Sequence, residues 1–180
     1  MNIVSREECI EHSTGFAPFD LTKTLKFDRK TEKVELAVRT YDLANIYFSA
    51  ARVLLDKSIE YMPVVLTNIS FACELYLKAL LYGYNTDLSN IHGLKDLFEK
   101  LPEDIQSYIA NNIAIENREY EFPLCLAEQN TAFVTYRYMN EAKRIAAHPI
   151  FLFAFAHILQ FVYETLTEES NEIIESGDIE

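Results

Sequence analysis

The sequence has few cysteines, glycines and prolines, and it has no tryptophan. Its 180 residues include Cys 3, Gly 4, Pro 5 and Trp 0. Little glycine and proline disfavours turn-rich β architectures and nucleotide loops built on glycine repeats. The cysteines, Cys9, Cys73 and Cys125, are far apart and form no CxxC pair. Neither a disulfide framework nor a structural zinc site is therefore expected, and a reducing cytoplasm is the expected location.

Several catalytic and metal-binding motifs are also missing. The sequence contains no HExxH, GxSxG, GxGxxG or GxxxxGK[ST], which removes the commonest hydrolase, metalloprotease and nucleotide-binding loops. Neither His12 nor His157 has a second histidine at metal-ligand spacing. We therefore expect no metal and no cofactor.

The charge balance is strongly acidic. Asp and Glu number 28 against 16 Lys and Arg, which gives a net charge of −12. That balance argues against a protein that holds duplex DNA mainly through a basic surface. Residues 167–180 contain acids and no base. We interpret them as a solvated acidic tail, with the masking of a basic partner surface as the alternative.

Hydrophobic residues make up 49% of the chain, and their spacing is helical. Strict alternation of the kind that a half-buried strand shows does not occur. Caps, prolines and Gly83 divide the pattern into helices over about 31–56, 63–82, 92–101, 102–114, 126–145 and 149–166. We predict an all-α, up-and-down bundle of five or six helices over residues 31–166, preceded by an arm, 1–30.

The most apolar stretch, 150–166, does not have the pattern of a membrane span. His157, Gln160 and Glu164 interrupt it at steps of 3 and 4, which places them on one face of a helix. That pattern predicts an amphipathic core helix of a soluble protein, and no membrane partner is expected.

The second predicted helix has one polar stripe on an otherwise apolar surface. Thr67, Ser70, Glu74 and Lys78 follow one another at steps of 3, 4 and 4, and Glu74 precedes Lys78 in the favourable i,i+4 order. In a structural interpretation, the stripe is a polar edge of the helix that is solvated or paired across the bundle. In a functional interpretation, it forms a polar groove or a subunit interface. His92, which opens the next helix, either bonds to its turn or contributes to a ligand site.

A second line of ionisable residues lies near the end of the fifth predicted helix. Arg137, Glu141 and Arg144 step by 4 and 3, and His148 stands just before Pro149. In phosphate chemistry, arginine would clamp a phosphoryl oxygen and histidine would move a proton near neutral pH. The alternative is a surface ladder in which Glu141 neutralises both arginines, and such ladders are common.

Three segments resemble the HEPN domain family. FACELYLKALL at 71–81, followed by HGLKDLF at 92–98, resembles the family's ELxLKALL helix and histidine-leucine-x-x-leucine helix. FVTYRYMNE at 133–141 is similar to an arginine-tyrosine segment of HEPN-like proteins. At Gly93 the family often has a polar residue.

The resemblance implies a helical bundle that dimerises and that belongs to prokaryotic toxin–antitoxin or phage-defence systems. Many members are metal-independent endoribonucleases with an arginine and a histidine separated by four to six residues. Here three residues separate Arg144 from His148. A homodimer is expected, with a nucleotidyltransferase or another module protein as a possible partner and RNA or a nucleotide as a possible ligand.

From these patterns we expect a non-catalytic protein that binds a nucleotide, a nucleic acid or a partner protein. Glu74, Lys78, His92, Arg137 and Glu141 are the candidate ligand or interface residues. The first alternative is a metal-independent endoribonuclease in which Arg144 holds the phosphate and His148 is the general acid or base. The second alternative is a purely structural dimerisation subunit.

Overall fold

The computed structural model describes residues 33–113, 122–141 and 146–177, and these ranges contain helices and no strand. The predicted all-α fold is confirmed. Two 3-10 turns, Ile59–Tyr61 and Met139–Glu141, accompany seven α-helices within the described ranges. The helices are α1 Lys33–Leu55, α2 Met62–Gly83, α3 Leu94–Phe98, α4 Glu103–Asn112, α5 Phe122–Glu128, α6 Ala132–Arg137 and α7 Pro149–Gly177.

Helix α2 is the centre of the bundle. It packs against α1 most extensively, and also against α7, α6 and α3. A helix that is apolar nearly all round is stable only when neighbours cover it on every side. Leu66, Ile69 and Leu80 are accordingly fully buried. Tyr76 is buried as well, and its hydroxyl donates to Asn45 Oδ1 of α1 at 2.6 Å.

Helix α1 approaches α2 closely because its inner face is built from alanines. Ala37, Ala44 and Ala51 recur every seven residues, and all three are buried. Small side chains at this spacing allow two helix axes to come near each other. Phe48 fills the remaining space, with its ring centroid 6.2 Å from that of Tyr76 and 6.1 Å from that of Phe153 on α7.

Two segments, Ile59–Gly83 and Pro149–Thr167, are long and apolar enough to cross a membrane by length and composition. Their most apolar windows are 72% and 56% buried inside the structure. Burial against other helices is what the core helices of a bundle show. The span-like composition of α7 therefore agrees with the predicted amphipathic core helix.

The predicted helix over 126–145 is wrong. The chain starts a helix earlier, at Phe122, and leaves it after Glu128, so α5 and α6 are two short helices separated by residues 129–131. A 3-10 turn, Met139–Glu141, replaces a later part of the predicted helix. The break occurs because Gln129 turns inward, where its side-chain amide donates to the Ala146 carbonyl at 3.2 Å. The apolar residues keep helical spacing across the break, so the sequence pattern did not indicate it.

The other predicted boundaries agree with the structure only in part. The loop before α3 contains Asn85 and Asn90, whose φ angles of 57° and 62° are positive, as asparagine tolerates. Helix α3 is shorter than predicted. Helix α7 continues past the predicted end at Leu166 to Gly177, so that boundary was wrong. The predicted arm, 1–30, and Arg144 lie outside the described residues.

A buried hydrogen-bond network fixes the chain just before α7. The Tyr136 hydroxyl is bonded to Gln129 Oε1 and lies 3.1 Å from the Ala146 carbonyl oxygen. Burial raises the pKa of Tyr136 to about 12, so the hydroxyl remains protonated at neutral pH. The network joins α5, α6 and the segment that leads into α7.

Replacing Tyr136 with phenylalanine would remove the hydroxyl and leave Gln129 Oε1 buried without its donor. We expect Tyr136→Phe to lower the free energy of unfolding by about 1–3 kcal/mol, measured by urea denaturation. Tyr138→Phe is the matched control, because Tyr138 is exposed and two residues away. Equal stability of the two variants would contradict the importance of this network.

Candidate functional site

A polar cluster joins α2 to the loop that precedes α3. Glu74 Oε1 lies 2.7 Å from Lys78 Nζ and 2.9 Å from His92 Nδ1. Lys78 Nζ is in turn 3.4 Å from His92 Nδ1. The structure therefore brings together three of the residues that the sequence singled out. Lys78 reaches Glu74 along the same helix face, and His92 comes from the adjacent loop.

The members of this cluster differ sharply in exposure. The side chains of Glu74, Lys78 and His92 are 2%, 14% and 66% exposed. A buried carboxylate is costly unless charge and hydrogen bonds compensate for its lost hydration. Glu74 Oε1 receives such compensation, whereas Glu74 Oε2 is buried and has no hydrogen-bond partner among the described residues.

The two other members of the α2 stripe are satisfied within their own helix. Thr67 Oγ1 donates to the Pro63 carbonyl at 2.9 Å, and Ser70 Oγ donates to the Thr67 carbonyl at 3.0 Å. The stripe thus has two parts. Its first half bonds back to the backbone, and only its second half, Glu74 and Lys78, interacts across the bundle.

Asn130 holds the start of α3 against the α5–α6 turn. Its Oδ1 accepts from the Lys95 backbone N–H at 2.8 Å, and its carbonyl accepts from the Leu94 N–H at 3.1 Å. Its Nδ2 donates to Asp96 Oδ2 at 3.2 Å. A Cβ on Gly93 would lie 2.1 Å from Asp96 Oδ2 and 2.6 Å from Asn130 Oδ1. The close approach of these two side chains favours glycine at position 93.

A small pocket lies at this junction, with a volume of about 120 Å³. We call it the Glu74 pocket. Its wall is formed by Glu74, His92, Gly93, Leu94, Asp96, Asn130, Thr131, Phe133 and Val134. The ring of Phe133 stacks on Phe71 of α2 at 4.5 Å between centroids, which fixes α6 beside the pocket. Carboxylate, amide and imidazole groups thus line it together with an aromatic ring.

Sequence reasoning missed Asp96 and Asn130 as wall residues. Asn130 was assigned to the interior of a helix, where its side chain would have had no special role. Its distance of 35 residues from Lys95 gave no local signal of the contact. Residues 130–134, Asn-Thr-Ala-Phe-Val, have nothing that distinguishes them from ordinary helix sequence.

His148 belongs to a second polar pair. Its Nε2 lies 2.7 Å from Glu128 Oε2, and its carbonyl accepts from the Leu152 N–H at 3.0 Å in the first turn of α7. A carboxylate at this distance orients the imidazole ring. Glu128 was not among the predicted residues, because its partner is 20 residues away.

Arg137 and Glu141 do not join the Glu74 cluster through any hydrogen bond or ion pair between described residues. Both side chains are exposed. Arg137 Cζ lies 5.4 Å above the centre of the Tyr138 ring. The expected helical step from Arg137 to Glu141 is wrong, because α6 ends at Arg137 and Glu141 lies in a 3-10 turn. Arg144, the third member of the expected stripe, lies outside the described residues.

Neither a metal cluster nor the largest described cavity coincides with the residues that the sequence singled out. Over the described ranges, no group of three or more His, Cys, Asp or Glu side chains is placed to hold a metal ion. A larger cavity of about 440 Å³ lies between α3, α4 and α5, with Phe98, Gln106 and Phe122 in its wall. None of the residues singled out in the sequence lines this cavity.

Comparison with known proteins gives one match. The model of a family described as the HEPN domain matches residues 37–154. The match spans α1 to the first turn of α7 and includes both polar groups described above. No curated protein and no solved structure matches the chain.

Replacing Lys78 with methionine would leave the buried Glu74 carboxylate with His92 alone. We expect Lys78→Met to lower the free energy of unfolding by about 3 kcal/mol, as removal of one partner of a buried pair does. The control Lys95→Met removes the exposed Lys95–Glu99 pair, 3.6 Å apart, and should cost less than about 1 kcal/mol.

The double variant Glu74→Gln/Lys78→Met separates loss of charge pairing from loss of packing. It should be more stable than Lys78→Met alone, because it leaves no buried charge unpaired. Thermal and urea denaturation measure the stability of the double variant and of each single variant. A double variant less stable than either single variant would contradict the charge-pairing explanation.

Proposed function

This chain belongs to the HEPN domain family, and on that premise we propose that it is a non-catalytic binding protein whose ligand site is the Glu74 pocket. The observation on which the proposal depends is the state of the Glu74 carboxylate. One of its oxygens is bonded to Lys78 and His92, and the other is buried without a partner among the described residues. A ligand that donates a hydrogen bond would complete the site.

The chemistry of the wall narrows the class of ligand. Glu74, Asp96 and Asn130 offer mainly acceptors, and Phe133 offers an apolar ring. Carboxylates repel a phosphate, so a phosphate group is a poor fit for the inside of the pocket. A flat group with several N–H donors fits better. Such a group is the edge of a nucleobase or the guanidinium of an arginine from a partner protein.

The charge of the whole chain supports the same ligand class. At a net charge of −12, long-range attraction to a nucleic-acid backbone is absent, and binding depends on local contacts. A nucleotide held by its base, or a partner protein with a basic side chain, meets this condition. A role in a prokaryotic defence or toxin–antitoxin module belongs to the same proposal and rests on the family resemblance, and the cytoplasmic location rests on the cysteine pattern.

Calorimetric titration with small probes tests the ligand site. The probes are adenosine, guanosine, cytidine and uridine, with L-argininamide as a stand-in for the arginine of a partner. We expect at least one of them to bind, and His92→Ala to weaken that binding about tenfold, which is ~1.4 kcal/mol. His92 is largely exposed, so its truncation leaves the fold intact.

Lys95→Ala is the control, because Lys95 is exposed on α3 and is not part of the pocket wall. Its affinity for the probe should equal that of the unmodified chain. If no probe releases or absorbs heat, or if both variants bind equally well, the Glu74 pocket is not the ligand site.

One observation favours a second candidate function, the metal-independent endoribonuclease. The Glu128–His148 pair is the arrangement by which a carboxylate orients a histidine for proton transfer. In this alternative His148 is the general acid or base, and Arg144 stabilises the phosphoryl oxygens. Against it stands the short Arg144–His148 spacing, which departs from the arginine–histidine motif of the ribonucleases in the family.

An RNA cleavage assay in EDTA distinguishes the two functions. Under the binding proposal the purified chain leaves single-stranded RNA intact. Cleavage that is lost in Arg144→Ala/His148→Ala, and reduced at least tenfold in Glu128→Gln, would establish the endoribonuclease instead. Glu99→Gln is the control, because Glu99 is exposed and distant in sequence from this pair. Cleavage that survives the double substitution would indicate a contaminating nuclease.

A further inference from the structure

The Glu74 pocket has two carboxylates from different helices in its wall. Glu74 belongs to α2, and Asp96 belongs to α3. Glu74 Oε1 is bonded to Lys78 and His92, whereas Glu74 Oε2 is buried and has no hydrogen-bond partner among the described residues. Asp96 is exposed, and its Oδ2 accepts a hydrogen bond from Asn130 Nδ2. Both carboxylates therefore retain acceptor capacity that a ligand can use.

The formal charge of the pocket is negative. Glu74 and Asp96 contribute two negative charges, and Lys78, which is bonded to Glu74, contributes one positive charge. With His92 counted as neutral, these groups sum to one net negative charge. A ligand with a single positive charge would neutralise the pocket. A neutral nucleobase would leave the excess in place, and a phosphate would add to it.

We propose that the Glu74 pocket binds a guanidinium group, whose N–H donors are divided between Glu74 of α2 and Asp96 of α3. The inference rests on the proposed ligand site and narrows its ligand from two chemical classes to one. A guanidinium is planar, carries five N–H donors in a fixed fork and has no acceptor. It therefore meets acceptors on two sides of a cavity at once. The group comes from a small guanidinium compound or from an arginine side chain of a polypeptide.

The donors of the wall are engaged, which disfavours a nucleobase. The edge of a nucleobase carries acceptors as well as donors, so it needs donors from the protein. The Asn130 side-chain amide already donates to Asp96 Oδ2 at 3.2 Å. The backbone N–H groups of Leu94 and Lys95 already donate to Asn130, at 3.1 and 2.8 Å. The wall thus offers a ligand mainly acceptors, which suits a group that only donates.

The volume of the pocket favours a small group. A cavity of about 120 Å³ holds roughly four waters at ~30 Å³ each. A guanidinium has the same number of non-hydrogen atoms, whereas a purine base has more than twice as many. The charged head of an arginine would fill the pocket, and its aliphatic stem would lie at the rim. Val134, which belongs to the wall and is 53% exposed, provides an apolar surface for that stem.

The ring of Phe133 favours a planar cation over a compact one. Phe133 belongs to the wall, and its ring stacks on that of Phe71 with 4.5 Å between centroids and 23° between planes. A guanidinium stacks on an aromatic ring through its own plane and is also attracted by the ring electrons. An ammonium group has no such plane. We therefore expect the pocket to prefer arginine to lysine.

Calorimetric titration of the full chain with three matched amides tests this preference. L-Argininamide has both the plane and the charge, L-citrullinamide has the plane without the side-chain charge, and L-lysinamide has the charge without the plane. We expect L-argininamide to bind about tenfold more tightly than either of the others. Equal affinity for L-argininamide and L-citrullinamide would overturn the proposal, because the charge would then have no part in binding. Equal affinity for L-lysinamide would overturn it as well.

Asp96→Asn tests the second carboxylate. The substitution removes one negative charge from the wall and keeps a side-chain oxygen that accepts from Asn130. We expect it to weaken the binding of L-argininamide about tenfold. Glu99→Gln is the matched control, because Glu99 is exposed, follows α3 directly and is not part of the wall. Unchanged affinity in Asp96→Asn would overturn the proposal. If circular dichroism shows that this variant is unfolded, the amide series on the unmodified chain decides.

The outcomes separate this inference from the proposed function. Guanosine, adenosine, cytidine and uridine are titrated under the same conditions. If a nucleoside binds and L-argininamide does not, the Glu74 pocket remains a ligand site and the guanidinium assignment is wrong. If no probe binds, both the assignment and the proposed ligand site are wrong.

Two further probes identify the source of the group. Agmatine is a small guanidinium compound, and the blocked dipeptide N-acetyl-Arg-Leu-amide presents the same group from a polypeptide, with an apolar neighbour that can cover Val134. Tighter binding of the dipeptide, by about tenfold, would assign the site to an arginine of a polypeptide. Equal or tighter binding of agmatine would assign it to a small compound. Failure of both to bind would overturn the proposal.

Discussion

The structure depends on the burial of α2. A helix of 22 residues with apolar side chains on every side has no surface that it can expose to water without a large cost in free energy. Helices α1, α6 and α7 therefore pack around it, and the short α3 closes its C-terminal half. The alanines of α1 and the aromatic rings of α7 are the means by which these neighbours approach closely. Glu74 is the charged side chain that this packing buries, and its carboxylate then needs charged and hydrogen-bonding partners.

That requirement explains why the polar cluster has its particular composition. Lys78 is one turn further along α2, so it reaches Glu74 without leaving the helix. His92 comes from a loop that Asn130 and Gly93 hold in position. The same arrangement that compensates the buried charge also creates the small cavity next to it. A structural ion pair and a candidate ligand site are thus one set of residues, and binding experiments, not stability alone, separate the two roles.

Much of the fold was predictable because its signals are local. Pro63 and Gly83 indicated the limits of α2, and apolar spacing indicated α1 and the start of α7. The division between α5 and α6 was not predictable, since it follows from the bond between Gln129 and the distant Ala146 carbonyl. The pairing of Glu74 with Lys78 was readable from the sequence, whereas its contact with His92 required the tertiary structure. The assignment of Arg144 and His148 to catalysis stays a prediction.

Residues 128, 129 and 130 form one short turn, and their side chains bond to two distant parts of the chain. Glu128 and Gln129 contact residues 20 and 17 positions away in the segment that leads into α7, and Asn130 contacts a residue of α3 that is 35 positions away. Contacts of such sequence separation form only after long loops have closed. They also cannot be lost singly, because displacement of the turn breaks all three. The turn therefore makes α3, α5, α6 and the start of α7 a single cooperative unit, whose backbone amides would exchange with solvent together rather than element by element.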